Sequence, residues 1–454
     1  MKQLVDRVKA SVVIILKTGQ NIDVSLNQNS SNTNYITNIE IEESLSTSNQ
    51  NPVGVVSSNI LKMELNSVDR SLFPDNVNSA YYGNMNNSAK IKVILEDEEG
   101  LVEFTSFYIS SWTNSVTSTN PYKVVIEATD ILSIVNKNNV PSDVIVDRIS
   151  TKQAFINMIE ALNRQLQADY QVKYNQADIN FDTFPTIEYE NIETNNMSDW
   201  LNTLSQSTLT NIYISRDGYL KTDYLLDDTI NQVVCDLSDK VNITFASLDN
   251  QLVNYSGVKT TYITNDILPS NKLTTVSNLL CKPGLNKFEY ISLNNKTYRI
   301  NAVRLITSVD RALELITLQY NKRTATLEIN NKLPDQDVTF AVEIYGQTLK
   351  ENQLTLLKSY NTTNEILQVT NRLVLPVDVE SFTDGLLSLV SLKNSSLELQ
   401  GFFNPRIQLG DIVKVDVLQS VNTEGYYKVI GLKWKITNTL KCTMKLLKIV
   451  IANP

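Results

Sequence analysis

The segment LKMELNSVDRSLFPDNVNSAYYGNMNNSAKIKVIL occupies residues 61–95, followed by FTSFYISSWTNS at 104–115 and YKVVIEATDILSIV at 122–135. Each segment contains a run of β-branched and aromatic residues of strand length, bounded by residues that favour turns. Strands are also predicted upstream, at 12–16, 21–26 and 36–41. Many short strands joined by turn-rich connections are typical of a β-barrel or a β-sandwich.

The pattern changes after residue 145. Ser150 or Thr151 can cap a helix, and its apolar residues recur every three or four positions, which places them on one face. They are Phe155, Ile156, Ile159, Leu162 and Leu166. A second short helix is predicted near Ser198, and the RDG sequence at 216–218 predicts a hairpin turn because glycine accepts positive φ. Two helices and a hairpin indicate a small α+β unit, after which strands return.

Length and composition narrow the class of protein. At 454 residues the chain exceeds what one hydrophobic core usually supports, so we expect several domains. The contents of 42% hydrophobic and 20% charged residues are typical of a soluble globular protein. A net charge of -9 repels phosphate, so dedicated nucleic-acid binding is not expected. No convincing repeat of 20 to 50 residues occurs, so a solenoid is not expected.

The sequence offers few residues for catalysis. It contains no histidine, which removes the Ser-His-Asp and Cys-His designs and the commonest metal ligand. Cys235, Cys281 and Cys442 are far apart, so neither a zinc site nor a disulfide framework is indicated. No nucleotide-binding loop or metalloprotease motif is present. We therefore expect no enzyme activity, no cofactor, and no catalytic or metal-binding residue.

Acidic clusters have an ordinary structural explanation. Residues Glu96, Asp97, Glu98 and Glu99 precede Gly100, and we expect them at a solvated hairpin tip. Asp227 and Asp228 are expected in a loop. Asp236 and Asp239 could bind a cation, but their spacing alone is a weak signal.

The apolar run at 12–16 is too short to span a membrane. It is followed by the turn sequence TGQNID rather than by a cleavage site with small residues, so we expect a strand and no standard export signal. No membrane span is expected elsewhere.

Two segments carry a family resemblance. The first, residues 61–135, resembles the N-terminal barrel of phage tail hub proteins through a strand ending in Leu-x-Asn, a Phe-Pro turn, a Tyr-Tyr-Gly element, a Trp-bearing strand and a final Asp-x-Leu. The matching residues are Leu65, Asn66, Asp69, Phe73, Pro74, Tyr81, Tyr82, Gly83, Ile109, Trp112, Asp130 and Leu132. The sequence departs from the family at Phe107 and Tyr108, where the family usually has Phe-x-Gly.

The second segment is GFFNPRIQLGDIVKVDVL at 401–418 with GYYKVIGLKWKI at 425–436. It is similar to the final barrel of the same hubs through Asn-Pro, Leu-Gly-Asp-x-Val-x-Val and Gly-x-Tyr-x-Val. The strand VEIYGQ at 342–347 also matches a strand of that family. Trp112 and Trp434 occupy apolar positions of the two barrels, so we expect both to be buried.

The resemblance implies a mainly β fold with a small α+β middle region and two tube-like β-barrel domains in one chain. The expected domains are an N-terminal tube-like β-barrel at 1–145, a small α+β domain at 146–240, a β-rich domain at 241–334 and a C-terminal tube-like β-barrel at 335–454. We further expect the two barrels to resemble each other.

The resemblance also implies a function. Hubs of this kind form a trimeric, pseudo-sixfold ring that adapts a sixfold tail tube to a central spike or tail tip. The implied partners are further copies of the chain, the tail tube protein, a spike or tail-tip lysin and other baseplate proteins. The implied location is the tail or baseplate of a virion made in the host cytoplasm. From the high tyrosine content we expect interface residues at Tyr81, Tyr82, Tyr426 and Tyr427.

Two other functions compete with this one. The chain could be a tail-associated cell-wall hydrolase resting on two carboxylates, or a receptor-binding or fibre-adaptor protein. The hub of a phage-derived injection particle would have the same sequence features as the hub of a phage.

Overall fold

The structure is a computed structural model that describes most of the chain. The described residues are 9–26, 34–45, 54–85, 89–97, 99–115, 120–141, 149–187, 196–225, 233–237, 243–249, 255–320, 323–359, 365–392, 396–416, 424–437 and 439–449. The chain divides into two compact units, Met1–Thr260 with Leu356–Pro454, and Thr261–Thr355. No helix within these described ranges is long and apolar enough to cross a membrane.

The first unit begins with a closed β-barrel. The strands of this region are β1 (Lys9–Ile15), β2 (Asn21–Leu26), β3 (Asn34–Ser44), β4 (Val56–Ser57), β5 (Ile60–Ser67), β6 (Lys90–Asp97), β7 (Gly100–Glu103), β8 (Phe107–Ser115) and β9 (Lys123–Thr129). Seven of them follow the order β3-β2-β1-β6-β8-β9-β5, and β5 pairs with β3, which closes the barrel. Alternate residues such as Leu61, Met63 and Leu65 are fully buried, as the two-residue period of a strand requires.

A small α+β region follows. Its elements are α1 (Ile131–Val135), α2 (Thr151–Gln165), β10 (Lys173–Tyr174), α3 (Met197–Thr208), β11 (Thr210–Ile214) and β12 (Tyr219–Tyr224), with 3-10 turns at Ala168–Tyr170 and Gln176–Asp178. Four strands form a sheet in the order β10-β12-β11-β4. The Ser150 hydroxyl caps α2 by accepting a hydrogen bond from the backbone N–H of Gln153, and Phe155 stacks on Trp200 of α3. The predicted helices and hairpin are confirmed, except that Leu166, expected on the buried face of the first helix, follows α2 as its half-buried C-cap.

The remainder of the first unit carries a second set of barrel strands. Its elements are β13 (Val233–Asp236), β14 (Ile243–Asp249), β15 (Tyr255–Ile267, ending in the second unit), β22 (Glu365–Asn371), α4 (Val379–Leu392), β23 (Ser396–Gly401), β24 (Ile412–Val415), β25 (Gly425–Ile436) and β26 (Leu440–Lys448). Six strands follow the order β14-β23-β26-β25-β24-β13. Among the described residues β14 and β13 are not paired with each other, so these six strands form a half-barrel, whereas the described strands of the N-terminal barrel form a closed path.

The second unit is a separate β-structure. Its strands are β16 (Asn271–Cys281), β17 (Gly284–Ser292), β18 (Thr297–Thr307), β19 (Leu313–Tyr320), β20 (Thr324–Asn331) and most of β21 (Val338–Ser359). Strand β21 lies between β16 and β18, and a three-stranded sheet has the order β17-β20-β19. Leu327, Ile329, Val342 and Ile344 lie in their shared core.

The N-terminal barrel and the half-barrel share one strand arrangement. Strands β14, β23, β26, β25 and β24 pair in the same order as β3, β5, β9, β8 and β6, and every one of these pairings is antiparallel. The chain order of the five strands is also the same in both sets. A single strand, β13, stands where the N-terminal barrel has its β1–β2 hairpin.

The two sets also agree residue by residue. Thr37 bulges out of β3 and donates a hydrogen bond to the carbonyl of Glu64, as Thr244 of β14 does to the carbonyl of Gln400. Strands β8 and β25 each contain a bulge, and Ser110 and Ile430 occupy it. The five strands therefore form a structural duplication with a constant register.

The register can be checked at two further pairs. Tyr108 pairs with Lys90 as Lys428 pairs with Ile412. Ile60, the first residue of β5, pairs with Thr129 of β9. Ser396, the first residue of β23, pairs with Leu447 of β26, which gives the same alignment. The mainly β fold class is thus confirmed, and the expected similarity of the barrels holds at the level of strand order.

The expected domain boundaries need correction. The strand containing VEIYGQ is part of β21, which pairs with β16 and β18, so residues up to 355 belong to the second unit rather than to the C-terminal barrel. Conversely, β13 and β14 were expected in the α+β and β-rich domains but pair with β24 and β23. Partner choice between distant strands, which local sequence does not encode, causes both differences.

Both tryptophans are buried, as expected. The indole N–H of Trp112 donates to the carbonyl of Leu72 at 3.1 Å, and Trp434 is fully buried. We predict that Trp112→Ala and Trp434→Ala each lower the free energy of unfolding by about 3–5 kcal/mol, the range for large deletions in a core. Urea unfolding measures this, and Leu101→Ala, at a side chain 66% exposed, is the control, with an expected change within about 0.5 kcal/mol. Tryptophan variants that unfold with the parent would refute the registers of β8 and β25.

A buried carboxylate explains the Asp-x-Leu motif. Asp130 caps α1 by accepting the backbone N–H of Leu132, at 3.0 Å, and it also accepts the N–H of Asn59, at 2.7 Å. Burial raises the pKa of Asp130 to about 7 because the loss of hydration outweighs these hydrogen bonds, which lower it.

This pKa predicts a pH dependence. A carboxyl group with a raised pKa in the folded state contributes stability that is complete below its ordinary value of 3.8 and is lost as the pH rises through about 7. We therefore expect Asp130→Asn, which cannot ionise, to flatten the fall in stability between pH 4 and about 7. Urea midpoints of parent and variant across this range measure the effect, and parallel curves would show that Asp130 does not titrate there.

Candidate assembly interface

The N-terminal barrel and the half-barrel are joined inside the chain by one strand pair. Residues Gly431–Ile436 of β25 pair antiparallel with Ser44–Ile39 of β3, while the beginning of β25 pairs with β24. Lys435 and Glu40, which are opposite each other in this register, form an ion pair at 3.6 Å. We call this strand pair the internal joint, because it makes one continuous sheet from two barrel-type folds.

A buried ion pair lies at the internal joint. The guanidinium of Arg216 donates Nε–H to Oε1 of Glu43 at 2.9 Å and Nη2–H to Oε2 at 2.6 Å. Both residues are almost wholly buried, at 6% and 4% exposure. Glu43 belongs to β3, and Arg216 belongs to the turn between β11 and β12, so the pair ties the N-terminal barrel to the α+β region.

The same pair reaches the half-barrel. The indole N–H of Trp434 donates to Oε2 of Glu43 at 3.1 Å, and Arg216 donates through Nη1 to the carbonyl of Pro405. The guanidinium carbon lies 4.6 Å from the ring centre of Phe104 and 5.4 Å from that of Trp434, which are cation–π distances. The N-terminal barrel, the α+β region and the half-barrel thus meet at the guanidinium of Arg216.

The local sequence explains how Arg216 is presented. Gly218 adopts a φ of 81°, which glycine tolerates, and the turn is closed by the N–H of Ser215 on the carbonyl of Tyr219. The Ser215 hydroxyl also donates to the carboxylate of Asp217. The tight turn holds the first residue of the RDG sequence against the joint.

Sequence reasoning missed the role of Glu43, although a signal was present. Ile39 and Ile41 are buried on β3, and Glu43 follows at the same two-residue period. A carboxylate at an inward position of a strand needs a buried partner. That requirement identifies the position as unusual, but it does not identify Arg216.

Further polar contacts hold the α+β region to both sets of barrel strands. Lys428 of β25 forms an ion pair with Asp223 of β12 at 2.6 Å. The side-chain amide of Asn59, next to β5, donates to the carbonyl of Ile214 of β11 at 2.9 Å. These contacts fix the positions of the two barrel-type folds relative to the α+β region.

The four predicted interface tyrosines occupy different environments. Tyr82 is half exposed in the connection between β5 and β6, and Tyr81 packs partly against the core. Tyr426 is half-buried in β25, whereas Tyr427 is buried at 2% exposure. Tyr427 is therefore a core residue, covered by its own chain. Contact of the other three with a second subunit stays a prediction.

The acidic candidates do not converge on a site within the described residues. Glu96 and Asp97 end β6 at a hairpin to β7, as expected, and Glu99 forms an ion pair with Arg406 at 3.4 Å. Asp236 lies exposed at the end of β13. Glu98, Asp227, Asp228 and Asp239 lie outside the described residues. Within the described ranges, no group of three acidic or cysteine side chains could hold a metal ion.

Comparison with known proteins identifies solved structures with a similar fold. No protein-family model matches the sequence, and none of the curated proteins is significantly similar to it. The structure is similar to the tail protein from Neisseria meningitidis MC58, with a TM-score of 0.53, 10% identity and 96% of each chain covered. It is also similar to the 43 kDa tail protein of prophage MuSo2 from Shewanella oneidensis, with a TM-score of 0.50, 11% identity, and 96% of this chain and 98% of that one covered. The expected likeness to phage tail proteins is thereby confirmed at the level of fold.

The buried ion pair yields a stability prediction. Arg216→Met leaves the carboxylate of Glu43 buried without its cation, and we expect a loss of about 3–5 kcal/mol in unfolding free energy. The matched control is Lys62→Met, which breaks the exposed pair with Glu127 at 3.5 Å and should cost about 0–1 kcal/mol. The double variant Glu43→Gln with Arg216→Met should lose less than the sum of the single losses. Additive losses in urea unfolding would refute the coupling.

Proposed function

We propose that this chain is a structural subunit of a phage tail or baseplate hub, and that three copies form a ring. The observation that carries the proposal is the duplication of five barrel strands in one chain, with constant order and register. The fold shared with two tail proteins over nearly the whole chain supports the assignment to a tail.

The mechanism is adaptation between symmetries. A ring of three chains with two similar barrel-type folds each presents six similar positions around its axis. A sixfold tail tube can then meet a similar surface at every one of its subunits. A ring with one barrel per chain would leave alternate tube subunits with exposed strand edges, which are liable to pair wrongly.

The proposal includes partners on both faces of the ring. The tail tube protein would bind one face, and a spike or a tail-tip lysin would bind the other, with further baseplate proteins around them. The subunit would be made in the host cytoplasm and act in the virion tail. Its role is structural, and no catalytic step or cofactor is assigned to it. Its net charge of -9 fits a ring that does not retain nucleic acid.

Assembly state tests this proposal. We expect light scattering and electron microscopy of the purified chain to show trimers, with the fraction rising at high concentration or on addition of tail-tube protein. Electron-microscopic class averages should show six similar densities around the axis. A strict monomer at high concentration with tail-tube protein present would contradict the proposed function.

A further inference from the structure

The duplication implies a second junction like the internal joint, formed by two strands that do not pair with each other within the described part of one chain. Strand β25 is the counterpart of β8, and β3 is the counterpart of β14. In the internal joint, the final residues of β25 pair with β3. The corresponding surfaces are therefore the final residues of β8 and the strand β14.

Both surfaces are free strand edges within the described part of the chain. Strand β8 pairs with β6 at Phe107 and Tyr108, and the N–H of Ile109 donates to the carbonyl of Ala89. Among the described residues, the final part of β8, 111–115, pairs on one side alone, with β9. Strand β14 pairs with β23 and ends the path of the fourteen-stranded sheet. Free edges present unpaired backbone N–H and C=O groups, and these groups bind another strand readily.

We propose that β8 of one copy pairs antiparallel with β14 of the next copy, and that this contact is the subunit interface of the ring. The inference rests on the proposed trimer and specifies how its subunits meet. The register follows from the duplication. Ser115 corresponds to Lys435 and Ser247 to Glu40, so Ser115 faces Ser247 of the adjoining copy.

The arrangement generates a closed ring rather than a dimer. The two edges lie on different barrel-type folds, so one copy offers β8 and the next receives it with β14. Such a head-to-tail contact repeats from copy to copy, and it closes into a ring of three where each copy is turned by a third of a revolution, as the proposed trimer requires. Alternating internal joints and subunit interfaces would then give six equivalent strand junctions from three chains.

The chemistry of the subunit interface differs from that of the internal joint. Asn114 takes the place of Trp434, and serines take the places of Lys435 and Glu40. The interface thus depends on backbone pairing rather than on ion pairs, so trimer formation should be insensitive to moderate salt.

Disulfide trapping tests the register. In the variant Ser115→Cys with Ser247→Cys, mild oxidation should link each chain to the next, giving covalent dimers and trimers on non-reducing gels. The native cysteines, Cys235, Cys281 and Cys442, are buried and form no disulfide, so background linkage should be low. Each single variant should give no linked product, because a head-to-tail contact brings together two different positions.

The matched control is Lys435→Cys with Glu40→Cys. These positions are the internal counterparts of the tested pair, so a disulfide should form within one chain and leave the protein monomeric under denaturing conditions. Suppose that this control forms its disulfide, and that the variant Ser115→Cys with Ser247→Cys is trimeric in solution but forms none. In that case the β8–β14 interface is wrong, while the proposed ring survives. If the parent protein never forms trimers, the proposed function itself fails.

Discussion

The two hydrogen bonds between Arg216 and Glu43 are the contact on which the arrangement of the first unit depends. Removing two charges from water costs several kcal/mol, so the pair is tolerated only where its geometry is complete. Completeness here requires the strand β3, the turn before β12 and the indole of Trp434 to be in place together. The contact is thus a poor source of stability and an effective means of specifying one arrangement of three segments.

The duplication shows what a β-barrel must keep and what it can change. A shift of one residue would turn every side chain of a strand to the opposite face, so register is maintained where one face is buried. Thr37 and Thr244 keep the same bulge and the same hydrogen bond, and each follows an isoleucine, while the side chains after them in the two strands differ. The preserved property is the backbone pairing, which explains why no repeat is visible in the sequence.

Local signals in the sequence were sufficient for much of the fold. The cap at Ser150, the helical spacing that follows it and the RDG turn all act over a few residues, and these predictions were confirmed except at Leu166, which lies just beyond the helix. Predictions that required knowing the partner of a distant strand were less successful. The domain boundaries failed because β21 pairs within the second unit, and Tyr427 was misjudged because an aromatic residue in a strand suits a core as well as a surface. The buried ion pair was missed because Glu43 and Arg216 are far apart in the chain.

The internal joint also changes how an assembly can form. Strands β25 and β3 belong to one polypeptide, so their pairing is intramolecular and does not depend on protein concentration. A ring of six separate barrels would need six bimolecular contacts, each paying the entropy of association. In the proposed ring of three chains, half of those contacts would be internal joints, which form during folding. In the proposed ring, the covalent connection would also keep the two kinds of barrel in strict alternation, so that each could acquire its own surface without mixed rings arising.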